Sequence, residues 1–280
     1  MNNQDKNTVD GFGDEWSRFD QSNLPDAEQH LLFDEYFSVF PWNDISMESI
    51  GFDLGCGTGR WAKSVAPKVK KLICIDPSNA LDIAKNNLSS FDNCEFYSAT
   101  VDKIPMEDNS MDFGYSLGVL HHVPDTALGI KQCVDKLKHG SPLLLYLYYR
   151  FDNRPIWFIL IWHATDLLRR VISKMPYGLR YFSSQIIAFF VYFPLARMAL
   201  LVEKLNIDVS NFPLSSYKNL SFYTMRTDAL DRFGTRLEQR FTRDEIKQMM
   251  HNAGLENITF SDSKPFWVVV GFKGGKNSSA

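Results

Sequence analysis

The sequence predicts an α/β protein: a doubly wound, mainly parallel sheet of seven strands that carries a helical, aromatic-rich insertion. Three observations lead there. Between about Met47 and Tyr149, short apolar runs alternate with helix-like stretches at the spacing of βαβ units. That rhythm stops at Arg150, and Pro155–Val202 holds ten of the 39 aromatic residues without any strand pattern. One helix and two strands then close the chain ahead of a small, polar tail.

Taken in order, Met1–Asp10 is polar and lacks the apolar core of a signal peptide. Gly11–Phe19 follows, aromatic and punctuated by glycine. The strand candidates are Ser49–Asp53, Lys71–Ile75, Glu95–Tyr97, Met111–Ser116 and Leu143–Tyr149. Between them lie the helix candidates Arg60–Val65, Asn79–Leu88 and Thr126–Leu137, with Ser78 and Asp125 placed as N-caps for the second and third. Crossover helices of this kind cover both faces of a parallel sheet. After the insertion a helix runs from Thr242 to His251, with Asp244 and Glu245 near its positive end and Ala253-Gly254 terminating it. The last strands are Asn257–Ser261 and Phe266–Phe272.

Composition sets the bounds. With 280 residues, 45% hydrophobic and 22% charged, the chain can bury a core, so wholesale disorder is excluded. A net charge of −3 argues against a dedicated nucleic-acid binder. Cys56, Cys74, Cys94 and Cys133 form no C-x-x-C pair, so neither a metal site nor a disulfide framework is expected, and a reducing, cytoplasmic setting is the simplest reading.

The most informative segment is Asp53-Leu54-Gly55-Cys56-Gly57-Thr58-Gly59, which joins a strand to a helix. Its G-x-G-x-G spacing differs from the G-x-G-x-x-G of dinucleotide binders. Glycines there permit a tight turn and close approach of a ligand. Asp53 puts a carboxylate beside the turn, which suits an ammonium group and repels a pyrophosphate. Asp76 ends the next strand, where a carboxylate can accept both hydroxyls of a ribose.

These residues resemble the first motif and second-strand acid of the class I S-adenosylmethionine-dependent methyltransferases. Ile104–Asp112 is similar to that family's approach to the fourth strand, and Leu120-His121-His122-Val123 follows as in small-molecule members. The resemblance covers about Asp44–Tyr149 and Arg240–Phe272. It implies a Rossmann-like sheet of order 3-2-1-4-5-7-6 with an antiparallel seventh strand. It also implies S-adenosylmethionine as cofactor and S-adenosylhomocysteine as its product. Carried over residue by residue, Asp53, Gly55, Cys56, Gly57 and Gly59 would hold the methionine part and Asp76 the ribose. Pro77 would pack on the adenine, Thr100 and Val101 would meet its edge, and Ser116 and Leu117 would line the pocket near the methyl group. The family often has Asp where this chain has Thr100, and a Pro-Gly-Gly turn where it has Lys138–Pro142.

Methyl transfer needs alignment more than acid catalysis, and a base only if the nucleophile is a hydroxyl or an ammonium. His121 and His122 stand on the ligand side of the sheet and are the candidate bases; packing beneath the substrate is the competing role. Trp16 and Arg18, in the Gly11–Phe19 stretch, are candidates for a lid over the cofactor, against an ordinary helix packed on the sheet. Tyr223, Asp228 and Arg232 are candidates for the acceptor pocket, against a solvated loop with local ion pairs.

The expected division is a cap over 1–43, a cofactor-binding core over 44–150, a helical insertion over 151–239, a return to the core over 240–273 and a frayed tail over 274–280. Pro155–Val202 carries a net charge of +4, leaving −7 for the rest. Its longest uncharged run, Tyr181–Ala196, is 16 residues and contains Pro194, so a transmembrane helix is not expected. Two roles remain: a lid walling an apolar acceptor pocket, or a basic, aromatic surface resting on an anionic membrane at its inner face. The function expected is methylation of a small-molecule or lipid- or glycan-linked acceptor, with oxygen ahead of carbon in a quinone-like ring. The rival from another class is a non-catalytic protein that keeps the fold.

Overall fold

The computed structural model describes residues 3–275. The last five residues of the expected tail lie outside the described residues. The chain divides into two compact units. One comprises the stretch up to Ser17, Leu31–Arg150 and the stretch from Leu237 onward; the other comprises Arg18–His30 and Phe151–Arg236.

The first unit is the α/β body. Its strands are β1 (Ile50–Leu54), β2 (Lys71–Ile75), β3 (Cys94–Tyr97), β4 (Phe113–Leu117), β5 (Pro142–Tyr146), β6 (Leu255–Phe260) and β7 (Val268–Lys273). They form one sheet in the order β3-β2-β1-β4-β5-β7-β6, as expected. The first five strands run parallel, and β7 is antiparallel to both β5 and β6. Four of the five residues of β1 and of β2 are buried, as are all five of β4, because a parallel sheet is covered on both faces. Two glycines set the spacing between β1 and β4. Gly51 pairs with Phe113 and Phe52 with Gly114. Each phenylalanine ring occupies the space that a Cβ on the facing glycine would need. Both rings are fully buried by this exchange.

Helices α1 (Lys6–Arg18) and α2 (Asp26–Tyr36) precede the sheet, and α3 (Ala62–Val65), α4 (Ala80–Asn87) and α5 (Thr126–Lys136) cross over between strands. Asp125 caps α5, its carboxylate accepting the Leu128 N–H at 2.9 Å. Ser78 does not cap α4 as expected. Asn79 is the cap residue, and the Ser78 hydroxyl donates to Asp76 at 2.6 Å. The same hydroxyl also accepts the Ala80 N–H at 3.2 Å, so it links Asp76 to the start of α4.

The second unit is helical: α6 (Ile156–Ile172), α7 (Tyr177–Ile187), α8 (Phe193–Lys204) and α9 (Phe222–Gly234). Its core gathers Ile172, Ala188, Tyr192, Ala196, Met225, Ala229 and Phe233. One alternative reading is removed here and one sequence expectation is corrected. Tyr223–Thr235 is not a loop, since all of it but Thr235 lies in α9, which packs on α6 and α7. The length argument against a membrane-length helix also fails. A π turn at Ala188–Tyr192 joins α7 to α8, so one helix of 28 residues runs from Tyr177 to Lys204. By length and composition it is sufficient to cross a membrane, with 22% of its apolar stretch buried. Pro194 does not break it, because the wider π turn absorbs the hydrogen bond that proline removes. Arg180 and Arg197, which bounded the uncharged run, turn their guanidinium groups onto carbonyls of the same unit.

Helix α10 (Arg243–Asn252) returns to the α/β body and packs on β6 and α5. Thr242 and Glu245 form its capping box, and Gly254 follows it at φ +93°.

Candidate active site

The site lies at the carboxyl ends of β1, β2 and β4, where open α/β sheets bind ligands. After β1 the chain turns through Gly55 and Gly57, at φ +76° and +52°. A side chain at Gly55 would strike Val119, in the segment that follows β4. The turn is held from two sides. The N–H groups of Gly55 and Cys56 donate to the Ile75 carbonyl at 2.7 and 3.0 Å. The Gly57 N–H donates to Asp76 at 2.9 Å.

Asp76 is therefore more than a ribose candidate. One of its oxygens takes the Gly57 N–H, and the other takes both the N–H and the hydroxyl of Ser78. It ties the end of β2 to the glycine loop. Burial raises its pKa despite these three donors.

Asp53 stands apart. It is buried, and its Oδ2 has no hydrogen-bond partner among the described residues. Burial pushes its carboxyl well above the usual carboxylate range; the nearby Tyr115 hydroxyl works against that shift and the charge of Asp76 with it. A buried, orphaned carboxylate oxygen is costly unless a partner arrives. A ligand ammonium supplies that partner, so the residues present fit the amino-acid end of S-adenosylmethionine.

Helix α1 brings one face to this loop. The Trp16 indole nitrogen lies 3.3 Å from where a Cβ on Gly57 would stand, Gly13 abuts Asn79, and Phe12 meets the His122 ring edge-on at 4.9 Å. Residues 12, 13 and 16 share a helical face, so the Gly11–Phe19 stretch is largely helical and presents that face to the glycine loop.

His121 and His122 form one turn after Gly118. Both are buried, but their surroundings differ. The Nδ1 of His122 lies 2.6 Å from the Leu237 carbonyl; since a carbonyl only accepts, that nitrogen carries the proton. Neither ring nitrogen of His121 has a partner among the described residues. Its ring stacks on Tyr148 at 3.8 Å, and Arg240 covers Tyr148 at 5.0 Å. Burial, with the His122 and Arg240 charges assisting, holds His121 well below the ordinary imidazole range. It is a neutral acceptor at physiological pH. The segment before α10 straps this pair: the Gln239 N–H donates to the His121 carbonyl at 3.0 Å, and its side chain to the Val123 carbonyl at 2.6 Å.

The remaining expected residues are placed as follows. Ser116 is buried with its hydroxyl on the Leu54 carbonyl at 2.9 Å, and Leu117 ends β4. Pro77 is half-buried after Asp76, and Thr100 is half-buried before the single turn Val101–Lys103. Gly59 lies against Leu88 and Ala84 of the α4 region. Arg18, Tyr223, Asp228 and Arg232 belong to the helical unit. There Arg18 lies over the Tyr181 ring at 4.7 Å, Tyr223 accepts the Gln21 N–H at 2.9 Å, and Arg232 lies over Trp162 at 5.1 Å. No group of three or more potential ligands that could hold a metal occurs among the described residues.

Sequence reasoning missed Phe12, Tyr148, Gln239 and Arg240, whose roles come from stacking and strapping rather than from a motif. It also missed Asp102, two residues beyond Thr100, whose Oδ1 is buried without a partner.

A family model described as methyltransferase domain matches residues 52–145. The chain carries a methyltransferase domain. That match spans most of β1 through β5 and includes the glycine loop, Asp76 and the histidine pair, and the sheet around it has the strand order of the class I methyltransferase fold. No curated protein matches this methyltransferase in sequence. Among solved structures, a protein of Bordetella parapertussis described as a possible exported protein is 13% identical, over 94% of this chain and 80% of that one, with a TM-score of 0.53. A Haloferax volcanii complex of the Trm112 methyltransferase activator with a methyltransferase gives 13% identity over 97% and 99% of the chains at a TM-score of 0.49. A Thermotoga maritima protein described as a possible histamine N-methyltransferase gives 16% over 92% and 99% at 0.47. At these identities the likeness is one of fold.

Proposed function

We propose that this methyltransferase transfers its methyl group to an oxygen of a small-molecule acceptor, with lipid- or glycan-linked compounds as the class, and that His121 takes the acceptor's proton. The observation that supports this is the unpartnered, neutral imidazole of His121, buried in the turn after β4. A buried polar group left without a partner calls for an explanation, and a proton acceptor for an incoming hydroxyl supplies one. When bound, S-adenosylmethionine supplies an electrophilic methyl group on a sulfonium. The chain's own part is to bind and align. In this reading Asp53 receives the ammonium group and the glycine loop the methionine backbone. Asp76 receives the ribose, Pro77 and Val101 flank the adenine, and Thr100 and Asp102 offer acceptors for its amine. Leu117 stands beside the methyl group, and Trp16 and Phe12 exclude water from above. His122, held by Leu237, orients rather than reacts.

A second reading, C-methylation of a quinone-like ring, is favoured by the rings at the ends of β4 and β5. Tyr36 meets Tyr146 at 4.9 Å and Trp61 at 4.7 Å, beside the His121–Tyr148 stack. Transfer of label from methyl-labelled S-adenosylmethionine into acceptors of a lipid-containing extract separates the two. Oxygen transfer with His121 as base predicts that His121→Ala lowers turnover on the order of a hundredfold while affinity for S-adenosylhomocysteine stays unchanged. Undiminished turnover in that variant contradicts the base.

A further inference from the structure

We propose that the outer face of α6 and of the continuous α7–α8 helix is a membrane-insertion surface, seated in the plane of one bilayer leaflet. Among the described residues, nineteen of the 23 exposed large hydrophobic side chains fall between Ile156 and Ile207. They are not scattered. On α6 the large hydrophobic side chains that are exposed are Ile156, Trp157, Leu160, Ile161, Leu167, Leu168 and Val171, most of them in one stripe at helical spacing. The opposite side of that helix carries buried Asp166 and Arg169, bonded to each other at 2.7 Å, with Arg169 also donating to the Thr235 carbonyl at 2.9 Å. The long helix repeats the arrangement. Leu179, Phe182, Ile186, Phe190, Met198 and Leu201 face outward, with Phe182 63% and Phe190 70% exposed. Arg180, Ser184, Ala188, Tyr192, Ala196 and Ala199 face inward.

This is the reverse of a helix adapted to water. The Asp166–Arg169 pair, Arg180 and Ser184 are turned to the unit's interior and leucines and phenylalanines to its exterior, the polarity that an apolar solvent selects. Soluble monomers rarely expose a contiguous apolar patch of this extent. Charge points the same way. The only acid between Pro155 and Val202 is buried Asp166, and the next one, exposed Glu203 at the end of α8, is paired with Lys218. Arg170, Lys174 and Lys204 are exposed at the helix ends, where cations meet headgroups.

The same contacts decide between lying in the membrane and crossing it. The inner side of α7 packs on α9, which carries Arg226, Asp228, Asp231 and Arg232. A spanning orientation would carry those charges into hydrocarbon. Of the five cations of Pro155–Val202, Arg169, Arg180 and Arg197 are engaged with carbonyls inside the unit. The attachment is therefore mainly apolar insertion, and the basic surface expected from composition is reduced to its edges.

Flotation of the full-length protein tests this with vesicles of phosphatidylcholine alone and of phosphatidylcholine with phosphatidylserine, each at low and high salt. The protein should float with both and remain bound at high salt. Leu160→Ser, Phe182→Ser and Phe190→Ser, all at exposed positions, should each lower partitioning on the order of tenfold. S-adenosylhomocysteine affinity should stay unchanged in all three, showing that the fold and the donor site survive. Failure to float with either vesicle overturns the proposal. So does binding confined to phosphatidylserine and lost at high salt. A self-association that the same substitutions abolish, in protein that does not float, would assign the face to a second copy of the chain. None of these readouts uses turnover, so they stand or fall apart from the role given to His121.

Discussion

Asp53 shows how one residue can be poorly served by its own fold. Its carboxylate is buried with one oxygen unpartnered and its pKa raised well above the usual range. A carboxyl whose folded pKa lies above its unfolded value favours folding while it is protonated, and that contribution is lost as pH rises through the folded pKa. Asp53→Asn should therefore raise the Tm of the ligand-free protein at neutral pH, with a smaller gain below the ordinary carboxylate pKa. Thermal melts across pH check this; a Tm lowered at neutral pH would show that Asp53 has a partner in the free protein. His121 gives the opposite sign. Because its pKa is depressed, it remains a neutral acceptor as pH falls through the ordinary imidazole range. The rate should be flat from about pH 8 to pH 6.5 and fall only below that. A rate falling with an ordinary imidazole midpoint would mean that His121 is solvated during turnover. Asp53, the glycines and Asp76 were legible in the sequence because the chemistry fixes both residue type and spacing. Tyr148, Arg240 and Asp102 were not, because stacking and burial leave no periodic trace.

At the scale of elements, the α/β rhythm was legible, with every expected strand and crossover helix present and its ends displaced by up to three residues. Alternation of buried strands and crossover helices is a local pattern, and Asp125 and Thr242 mark two helix starts by chemistry that acts within four residues. Removing the Thr242 hydroxyl breaks the capping box, so Thr242→Ala should cost about 1 kcal/mol in a denaturant titration; no loss would mean that packing on β6 alone holds α10. The helical unit was misread for a physical reason. Counting uncharged residues treats every arginine as a boundary, yet Arg180 and Arg197 turn inward to carbonyls and let one helix run through them. Pro194 misled in the same way, since the π turn before it accommodates the lost hydrogen bond. Tyr223–Thr235, rich in charge, reads as a loop by composition but becomes α9 because Met225, Ala229 and Phe233 fill the unit's core.

For the molecule as a whole, the uneven distribution of aromatics and charge has a structural meaning. The α/β unit holds the proposed donor site, and the helical unit holds an apolar outer face. An acceptor that resides in a bilayer would join the two properties in one function. The donor site is the central claim, and it rests on an orphaned carboxylate, a clamped glycine loop and a second acid. Titration calorimetry of the wild type and Asp53→Asn with S-adenosylhomocysteine and with NAD measures it most directly. The wild type should bind S-adenosylhomocysteine and not NAD, and the substitution should cost about 2 kcal/mol, the worth of a hydrogen bond to a charged group. NAD binding in place of S-adenosylhomocysteine, or equal S-adenosylhomocysteine affinity in the two proteins, would contradict it.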